Sequence, residues 1–510
     1  MLKIIKPVLL LNNTRTLCSN IDRTNITLGH IRNPLLMTDV YKMGHMEQYV
    51  PNCNKVYSYL QARSDKIFNQ MVFCGLQYYI KEYLSKPITH EHVNEFLKIK
   101  KSILGSPSSE SVEKKLRDLA CIGYWPLEIK AVREGTVINV KNVLMTITNT
   151  HSDFYWTVGF IESLLLKVWY PICVATTSYH YRKLVDIYFN ETVDESLYFL
   201  KSFTVHDFGY RGDSSEEGAI ISGLSHLFSF KGSDTVPAYQ GAIKYYGANG
   251  NENDIMSSVP ASEHSVMCSF GKDNELAAYK HMLSTYPTGL VSIVSDTYNI
   301  WNVLTNFAME LKDDILKRDG KVVFRPDSGN PENIICGDPS FPLGSPENKG
   351  CLKLLDEMFG STINSKGYKQ INPKVGLIYG DGIYLQRYER ILSRMKVMGY
   401  AASNLVIGVG GILRNHTRDT LGFAIKATLV EVNGIEKPIM KDPITDNKKK
   451  SHTGYLHLEK KNNQYITTDN VDKNKEAEGL LIPVFKNGKL LVDDNIYDIR
   501  NRIENSLNIH

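Results

Sequence analysis

Between residues 201 and 411, five short β-rich runs each end on a charged residue or a glycine. Segments with helical periodicity separate the runs, which is typical of a parallel sheet whose strands are joined by helices. The carboxyl ends of such strands meet at one edge, and that edge carries the functional groups. The pattern predicts an α/β fold with a (β/α)-barrel-like domain, and an open doubly wound sheet is the alternative. The runs are KSFTV, LVSIVS, KVVF, VGLIY and NLVIGV, which precede His206, Asp296, Arg325, Gly380 and Gly410.

The sequence on both sides of this region has an α+β texture. We predict that residues 31–170 and 413–510 form one α+β domain around a catalytic barrel of residues 171–412. An apolar run before Pro171 predicts a helix that ends at this proline. Residues 1–30 contain four basic residues and one acid. We interpret them as a disordered or loosely attached extension, with a transit peptide as the alternative.

The composition restricts the class of protein. The 510 residues include 59 lysines and arginines against 55 acids, and a net charge of +4 is too small for a dedicated nucleic-acid binder. The eight cysteines include no CxxC pair, which argues against a disulfide framework or a structural zinc site. No apolar run approaches the length of a membrane span. We expect a cytoplasmic protein with a local anion site, unless residues 1–30 direct it to an organelle.

Two glycine turns follow the last two strands of the predicted barrel. They contain Gly380 and Asp381 in YGDG, and Gly410 and Gly411 in GVGG. Backbone N–H groups in such turns bind anions, and barrels often hold a phosphate after their last strands. Each turn alone is equally consistent with a simple tight turn, but together they predict a phosphate site.

Three acidic or basic side chains follow neighbouring strands and would converge on the same edge. Arg325 and Asp327 lie in RPDSGNP, and Asp296 follows the preceding strand. Such carboxylates bind ribose hydroxyls or a magnesium ion, although a surface salt bridge is the alternative. His264 in VPASEHS could act as a base or accept a phosphoryl group, since imidazole is nucleophilic when neutral. Most histidines do neither.

The segment HDFGYRGDSS places Phe208 and Arg211 three residues apart, each beside a glycine. Glycine allows the backbone to approach a ligand closely, so the segment indicates a presented site. A tight turn with a surface arginine is the alternative.

Ten motifs in register extend over residues 33–443, and together they resemble the nicotinamide phosphoribosyltransferases, a family of type II phosphoribosyltransferases. This resemblance implies the type II barrel fold and the transfer of a phosphoribosyl group to nicotinamide in NAD biosynthesis. The motifs are NPLLMTDVYKMGH, VYSYLQAR, HDFGYRG, FKGSDTV, SVPASEHS, VSIVSDTYN, FRPDSGNP, IYGDGI, TRDTLGFAIK and KDP.

The resemblance implies roles for residues around the base. Phe208 would stack on one face of nicotinamide, and Tyr41 of the other subunit of a homodimer would cover the opposite face. Asp234 would accept a hydrogen bond from the substrate amide and repel the carboxylate of nicotinate. Further residues matched to this pocket are Arg211, Asp39 and Ser292.

The resemblance also implies how phosphoribosyl pyrophosphate and the cofactors bind. Mg²⁺ would act mainly through the pyrophosphate, with no protein ligand assigned, and ATP hydrolysis would be coupled through phosphorylation of His264. The glycine-rich loop before Arg418 is one residue shorter than is usual in the family. Residues matched to catalysis or to the phosphates are Arg325, Asp327, Asp296, Arg63, Gly380, Asp381, Gly410, Gly411, Arg418, Lys426 and Lys441.

Two other functions remain open from sequence. Nicotinate phosphoribosyltransferase has the same fold and takes the acid as substrate. A catalytically silent binding protein could also retain the fold, although Phe208, Asp234, His264 and Asp327 are all present.

Overall fold

A computed structural model describes residues 33–250, 254–445 and 449–507, so the predicted extension at residues 1–30 lies outside the described residues. The strands in chain order are Cys53–Ala62 (β1), Gln70–Val72 (β2), Leu127–Ala131 (β3), Val137–Asn139 (β4), Val143–Asn149 (β5), Val205–Asp207 (β6), Thr288–Val294 (β7), Asp319–Arg325 (β8), Ser361–Ile363 (β9), Lys369–Ile371 (β10), Val375–Tyr379 (β11), Leu405–Val409 (β12), Phe423–Val432 (β13), Ile435–Pro438 (β14), Tyr455–Lys461 (β15), Gln464–Val471 (β16), Ile482–Lys486 (β17) and Lys489–Leu490 (β18).

The longer helices pack around the two main sheets. Most of them begin at a Ser, Thr or Asn cap or with a proline in the first turn, as helix-start chemistry favours. They are His90–Leu104, Glu110–Ile122, Trp169–Thr192, Glu216–Leu227, Val236–Tyr246, Glu275–Thr285, Pro346–Phe359, Leu385–Val397 and Ile496–Leu507.

The predicted barrel is present. Strands β6, β12, β11, β8 and β7 form a parallel sheet in that order. Isolated parallel bridges then connect its two edge strands through the segments at 232–233 and 257–261, so the sheet closes into a ring, which an open doubly wound sheet does not do. These bridges pair Asp207 with Ser233, Gly232 with Ser257, and Ala261 with Ser292.

The second large sheet is antiparallel and combines both ends of the chain. Its order is β14, β13, β1, β5, β3, β17 and β18. The central strand β1 pairs with β5 on one side and with β13, from the far end of the chain, on the other. This sheet therefore unites the two segments that were predicted to share an α+β domain. The exact limits of that domain stay a prediction.

One helix connects the two hydrophobic cores. In Trp169–Thr192, Ile172 and Tyr179 pack into the core of the antiparallel sheet, while Tyr181 and Phe189 pack into the core around the barrel. The prediction that Pro171 ends a helix was wrong, because it lies in the first turn of this one. A first-turn N–H has no partner within the helix, so proline is tolerated there.

Within the described residues, no single helix is long and apolar enough to cross a membrane. One bent pair of helices, Ser152–Phe160 with Glu162–Thr192, reaches that length and apolar composition when the two helices are taken together.

Candidate active site

The ring of Phe208 lies at the carboxyl end of the barrel, immediately after β6. Its backbone N–H donates to the carbonyl of Val409 at 2.9 Å, which fixes the loop against β12. A Cβ added at Gly408 would lie 2.1 Å from the Phe208 ring, and one at Gly380 would lie 3.4 Å from it. The Arg325 guanidinium lies 5.1 Å from the centre of the same ring. Gly408 within β12 and Gly380 directly after β11 therefore make room for this ring.

A cavity of about 320 Å³ extends from Phe208 into the barrel. Its wall at this end is mixed, with aromatic, acidic and basic side chains close together, as small-molecule sites usually have. Three of the six predicted base-binding residues, Phe208, Asp234 and Ser292, line it together with His206, Ser258 and Arg325.

Asp234 is held through one carboxylate oxygen. His206 Nε2 lies 3.0 Å from Asp234 Oδ1, and the Ser258 hydroxyl donates to the same oxygen. Burial opposes ionisation of Asp234, but these hydrogen bonds and the charge of Arg325 outweigh it and hold the pKa of this carboxyl below its usual value. Asp234 therefore presents a fixed negative charge beside Phe208.

The second cluster lies at the ends of β7 and β8. Arg325 Nη2 donates to Asp327 at 3.2 Å, and the Asp327 backbone N–H donates to Asp296 Oδ2 at 2.9 Å. His264 Nε2 lies 3.8 Å from Asp296 Oδ1, and its Nδ1 lies 3.3 Å from the Thr297 hydroxyl. The structure thus brings together all four residues that were predicted to be catalytic.

Two polar atoms in this cluster have no hydrogen-bond partner in the described part of the chain. They are Asp296 Oδ1 and Arg325 Nε, and both are buried. Buried polar groups are normally satisfied, so an unpaired acceptor and an unpaired donor in one cluster indicate space for a ligand. The imidazole of His264 is 49% exposed and faces the same space.

A second cavity, of about 600 Å³, lies on the other side of Gly380. The two glycine turns predicted to hold phosphate form its walls. Gly380 and Asp381 come from the end of β11, and Gly410 and Gly411 come from the end of β12. Gly380 therefore separates the ring of Phe208 from the predicted phosphate site.

Arg414 is the main residue here that sequence reasoning missed. It donates to Asp207 at 2.5 and 2.9 Å and to Asp213 at 3.0 Å, and all three side chains are buried. Burial opposes the charge of Asp207, but Arg414 outweighs it and keeps the pKa of Asp207 below its usual value. Arg414 thus connects the loop that carries Phe208 to the glycine-rich loop.

Close packing within the protein explains both glycines of HDFGYRGD, at Gly209 against this arginine and at Gly212 against the glycine-rich loop. A Cβ at Gly209 would lie 2.2 Å from the Arg414 guanidinium, and one at Gly212 would lie 3.2 Å from the Cα of Gly411. The glycines therefore let this loop pack closely against other parts of the protein. Arg211 between them is exposed.

The remaining predicted residues line neither of these two cavities. Tyr41 is 63% exposed on the turn Val40–Glu47, and Asp39 accepts a hydrogen bond from Ser163. Arg418 pairs with its neighbour Asp419 at 2.8 Å.

Three predicted basic residues lie near one another by the antiparallel sheet. Burial lowers the pKa of Lys426, Glu162 opposes this shift, and Arg63, Lys441 and Lys42 add repulsion. We call Arg63, Lys426 and Lys441 the sheet cations. Their ammonium and guanidinium groups form no ion pair within the described residues, so the cluster keeps a net positive charge although Glu162 attracts Lys426.

Comparison with known proteins decides the family. Residues 203–488 match the model of the nicotinate phosphoribosyltransferase (NAPRTase) family, and residues 33–108 match the N-terminal domain of nicotinamide phosphoribosyltransferase. The chain belongs to this family. It is 39% identical over 502 residues to the nicotinamide phosphoribosyltransferase of Acinetobacter baylyi, covering 93% of this chain and 98% of the relative. The nicotinamide phosphoribosyltransferase of Xanthomonas campestris pv. campestris is 36% identical over 484 residues, with the same coverage.

Two solved structures of low sequence identity share the fold. A nicotinate-nucleotide pyrophosphorylase from Pyrococcus furiosus superposes with a TM-score of 0.58 at 16% identity, covering 96% of this chain and 98% of that one. Human nicotinic acid phosphoribosyltransferase gives a TM-score of 0.54 at 16% identity, covering 93% and 94%. The predicted fold class, a type II phosphoribosyltransferase barrel with an additional α+β part, is confirmed.

Proposed function

We propose that this enzyme condenses nicotinamide with phosphoribosyl pyrophosphate to give nicotinamide mononucleotide and pyrophosphate, in NAD salvage. The observation that carries the proposal is the arrangement around Gly380, with the ring of Phe208 and the carboxylate of Asp234 on one side and a glycine-walled cavity on the other. A flat base and a phosphate need these two environments next to each other. The relatives that match over most of the chain carry the same activity in their names.

The chemistry requires little of the protein beyond placement and charge. The pyridine nitrogen forms a bond to the anomeric carbon while the bond from that carbon to pyrophosphate breaks, through a transition state with oxocarbenium character. Phe208 would orient the ring for in-line attack, and Arg325 would lie near the developing charge. Aromatic stacking contributes about 0.5–1.5 kcal/mol beyond area burial, so it positions the ring and does not drive the reaction.

Asp234 supports the amide over the acid as substrate. A nicotinate carboxylate about 4 Å from this charge would be repelled by about 4 kcal/mol at an effective dielectric constant of about 20. The nicotinamide N–H can donate to the same carboxylate. This is the reason to favour nicotinamide over nicotinate, although both occur in this family.

We also propose that Mg²⁺ acts with the pyrophosphate. Asp296 Oδ1 is a buried carboxylate oxygen that accepts no hydrogen bond within the described residues, it belongs to the side chain that holds the Asp327 backbone, and carboxylate oxygens are what Mg²⁺ prefers. When bound, the ion would neutralise charge on the leaving group. Asp296 and Asp327 are the residues that would hold it, directly or through water.

ATP coupling through His264 is a further part of the proposal. The exposed imidazole at the start of the short helix His264–Cys268 can reach a phosphoryl group, and Asp296 and Thr297 are close enough to orient it. Phosphorylation there would connect ATP hydrolysis to an otherwise unfavourable synthesis.

We further propose a cytoplasmic homodimer with shared active sites. The sheet cations, together with Tyr41, Asp39 and Arg418, lie outside both cavities yet match residues that bind substrate in the family. A partner subunit would bring them to the site, and the sheet cations, which form no ion pair in the described part of the chain, would then face its phosphates. The homodimer predicts that no isolated monomer is active.

The base specificity is tested by supplying phosphoribosyl pyrophosphate and Mg²⁺ with either base and measuring mononucleotide by chromatography. We expect nicotinamide to be used much more efficiently than nicotinate. Comparable use of the two bases would contradict the role of Asp234 in rejecting nicotinate. No product from either base would favour the catalytically silent binding protein.

Shared sites are tested by mixing two inactive variants, Phe208→Ala and Tyr41→Ala, and allowing subunits to exchange. Half of the dimers would be mixed, and one of their two sites would be intact, so about a quarter of the wild-type activity should return. Each variant alone, taken through the same exchange protocol, is the control. Absence of recovery despite proven exchange would contradict the shared site.

A further inference from the structure

The way in which Asp234 is held identifies a neighbour with no assigned role. His206 Nε2, 3.0 Å away, and the Ser258 hydroxyl both donate to Oδ1 of Asp234. The other oxygen, Oδ2, accepts no hydrogen bond from the described part of the chain. One oxygen is therefore anchored by two donors, and the other remains available to a ligand.

The backbone explains why Ser258 reaches Asp234. The segment at 256–258 runs parallel to the segment at 231–234, because Ser257 donates through its N–H to the carbonyl of Lys231 at 2.8 Å and its carbonyl accepts from the Ser233 N–H at 3.2 Å. Ser257 and Ser258 both line the barrel cavity, but only Ser258 bonds to the carboxylate of Asp234.

From this arrangement we infer that Ser258 is a specificity-determining positioning residue: it anchors Asp234 so that Oδ2 faces the carboxamide of the base and rejects a carboxylate. The inference rests on the proposed function and adds to it. A carboxylate is a pure acceptor only while it is ionised, and donors to Oδ1 favour that form. The groups that face Asp234 are His206, Ser258 and Arg325.

Loss of the Ser258 donor should weaken discrimination without removing catalysis. With only His206 on Oδ1, the carboxylate can rotate and is protonated more readily, and a protonated acid can donate a hydrogen bond to nicotinate. We expect Ser258→Ala to lower the ratio of kcat/KM for nicotinamide over nicotinate about tenfold, the size of one hydrogen bond to a partly exposed charged group.

The experiment measures this ratio for wild type, Ser258→Ala, Ser258→Thr and the matched control Ser257→Ala. The ratio does not depend on the fraction of active enzyme, so a variant that merely folds poorly leaves it unchanged. We expect Ser258→Thr to retain the wild-type ratio because it keeps the donor, and Ser257→Ala to retain it because that hydroxyl does not bond to Asp234.

The outcomes separate this inference from the proposed function. A wild-type enzyme that does not use nicotinamide would overturn the proposed function itself. If wild type prefers nicotinamide but Ser258→Ala keeps its ratio within about twofold, or Ser257→Ala loses as much, the role of Ser258 is overturned.

Discussion

Replacing Arg414 with methionine should destabilise the protein strongly, because it would leave two buried carboxylates without their cation. Arg414 donates to Asp207 at 2.5 and 2.9 Å and to Asp213 at 3.0 Å. Asp207 would retain donors from the Gly209 N–H and the Thr235 hydroxyl, both at 2.8 Å. Neither of these carries a charge.

The magnitude follows from the burial. Side-chain exposure is 3% for Arg414, 0% for Asp207 and 2% for Asp213, so solvent cannot replace the lost interaction. Breaking a buried ion pair by removing one partner costs about 3–5 kcal/mol. We expect the free energy of unfolding of Arg414→Met to fall by this amount.

Urea denaturation monitored by circular dichroism measures the change, and an unaltered slope against urea would show that the same transition is being compared. The control is Arg418→Met on the same loop, where an exposed arginine pairs with exposed Asp419. Such surface pairs contribute about 0–1 kcal/mol. Adding Asp207→Asn to Arg414→Met should recover part of the stability, since it removes a buried charge.

A loss below about 1 kcal/mol for Arg414→Met, or an equal loss for Arg418→Met, would refute the argument. Either result would mean that the Asp207–Arg414–Asp213 contacts do not hold the two loops together.

Three further predictions concern the base pocket, the pH dependence of stability and ATP. Gly408→Ala should raise KM for nicotinamide at least about tenfold in steady-state kinetics, since its Cβ would lie 2.1 Å from the Phe208 ring, whereas Gly376→Ala, which meets only side-chain atoms at 3.3 Å, should change it little. Burial raises the pKa of Glu134 from 4.5 to about 7 despite its hydrogen bonds, so the folded state binds the extra proton and the contribution of this group to stability is greatest below pH 4.5. The free energy of unfolding should therefore fall by up to about 3 kcal/mol as the pH rises through 7, and denaturation of Glu134→Gln across this range should lack that component. His264→Ala should abolish stimulation by ATP but keep the ATP-independent rate, and an unchanged response to ATP would exclude His264 as the phosphoryl acceptor.

The sequence was informative where the chemistry is local. Runs that precede His206, Asp296, Arg325, Gly380 and Gly410 predicted a parallel barrel because strand ends meet at one edge, and each of these residues lies in a barrel strand or within two residues of its end. Arg325 ends β8, Gly380 and Gly410 directly follow β11 and β12, His206 lies within the short β6, and Asp296 lies two residues after β7. The antiparallel sheet was harder to predict, because β1 pairs with β13 from the far end of the chain, and no local signal encodes that pairing. Only the similar α+β texture of the two end segments indicated that they share a domain.

Arg414 shows what sequence reasoning could not supply. In GVGGILRNHTRD it looks like any loop arginine, and the family pattern drew attention to Arg418 instead. Its partners Asp207 and Asp213 are about two hundred residues away in sequence, so the ion pairs exist only in the folded chain. The one signal was indirect: Gly209 lies between those two aspartates, where a side chain would occupy the position of the guanidinium.

The charges of the described residues link the homodimer and magnesium proposals. At the barrel mouth, Arg414 is neutralised by two aspartates and Arg325 pairs with Asp327, so these cations leave little net charge for a pyrophosphate. The sheet cations form no ion pair within the described residues but line neither cavity. Arg211 on the Phe208 loop adds one exposed cation, so a substrate with several negative charges needs further cations, and a partner subunit and a divalent ion are the two sources that the proposal contains. If the sheet cations serve the partner's site, replacing Lys426 with methionine should raise KM for phosphoribosyl pyrophosphate and leave KM for nicotinamide almost unchanged, because the charge would meet a phosphate and not the base.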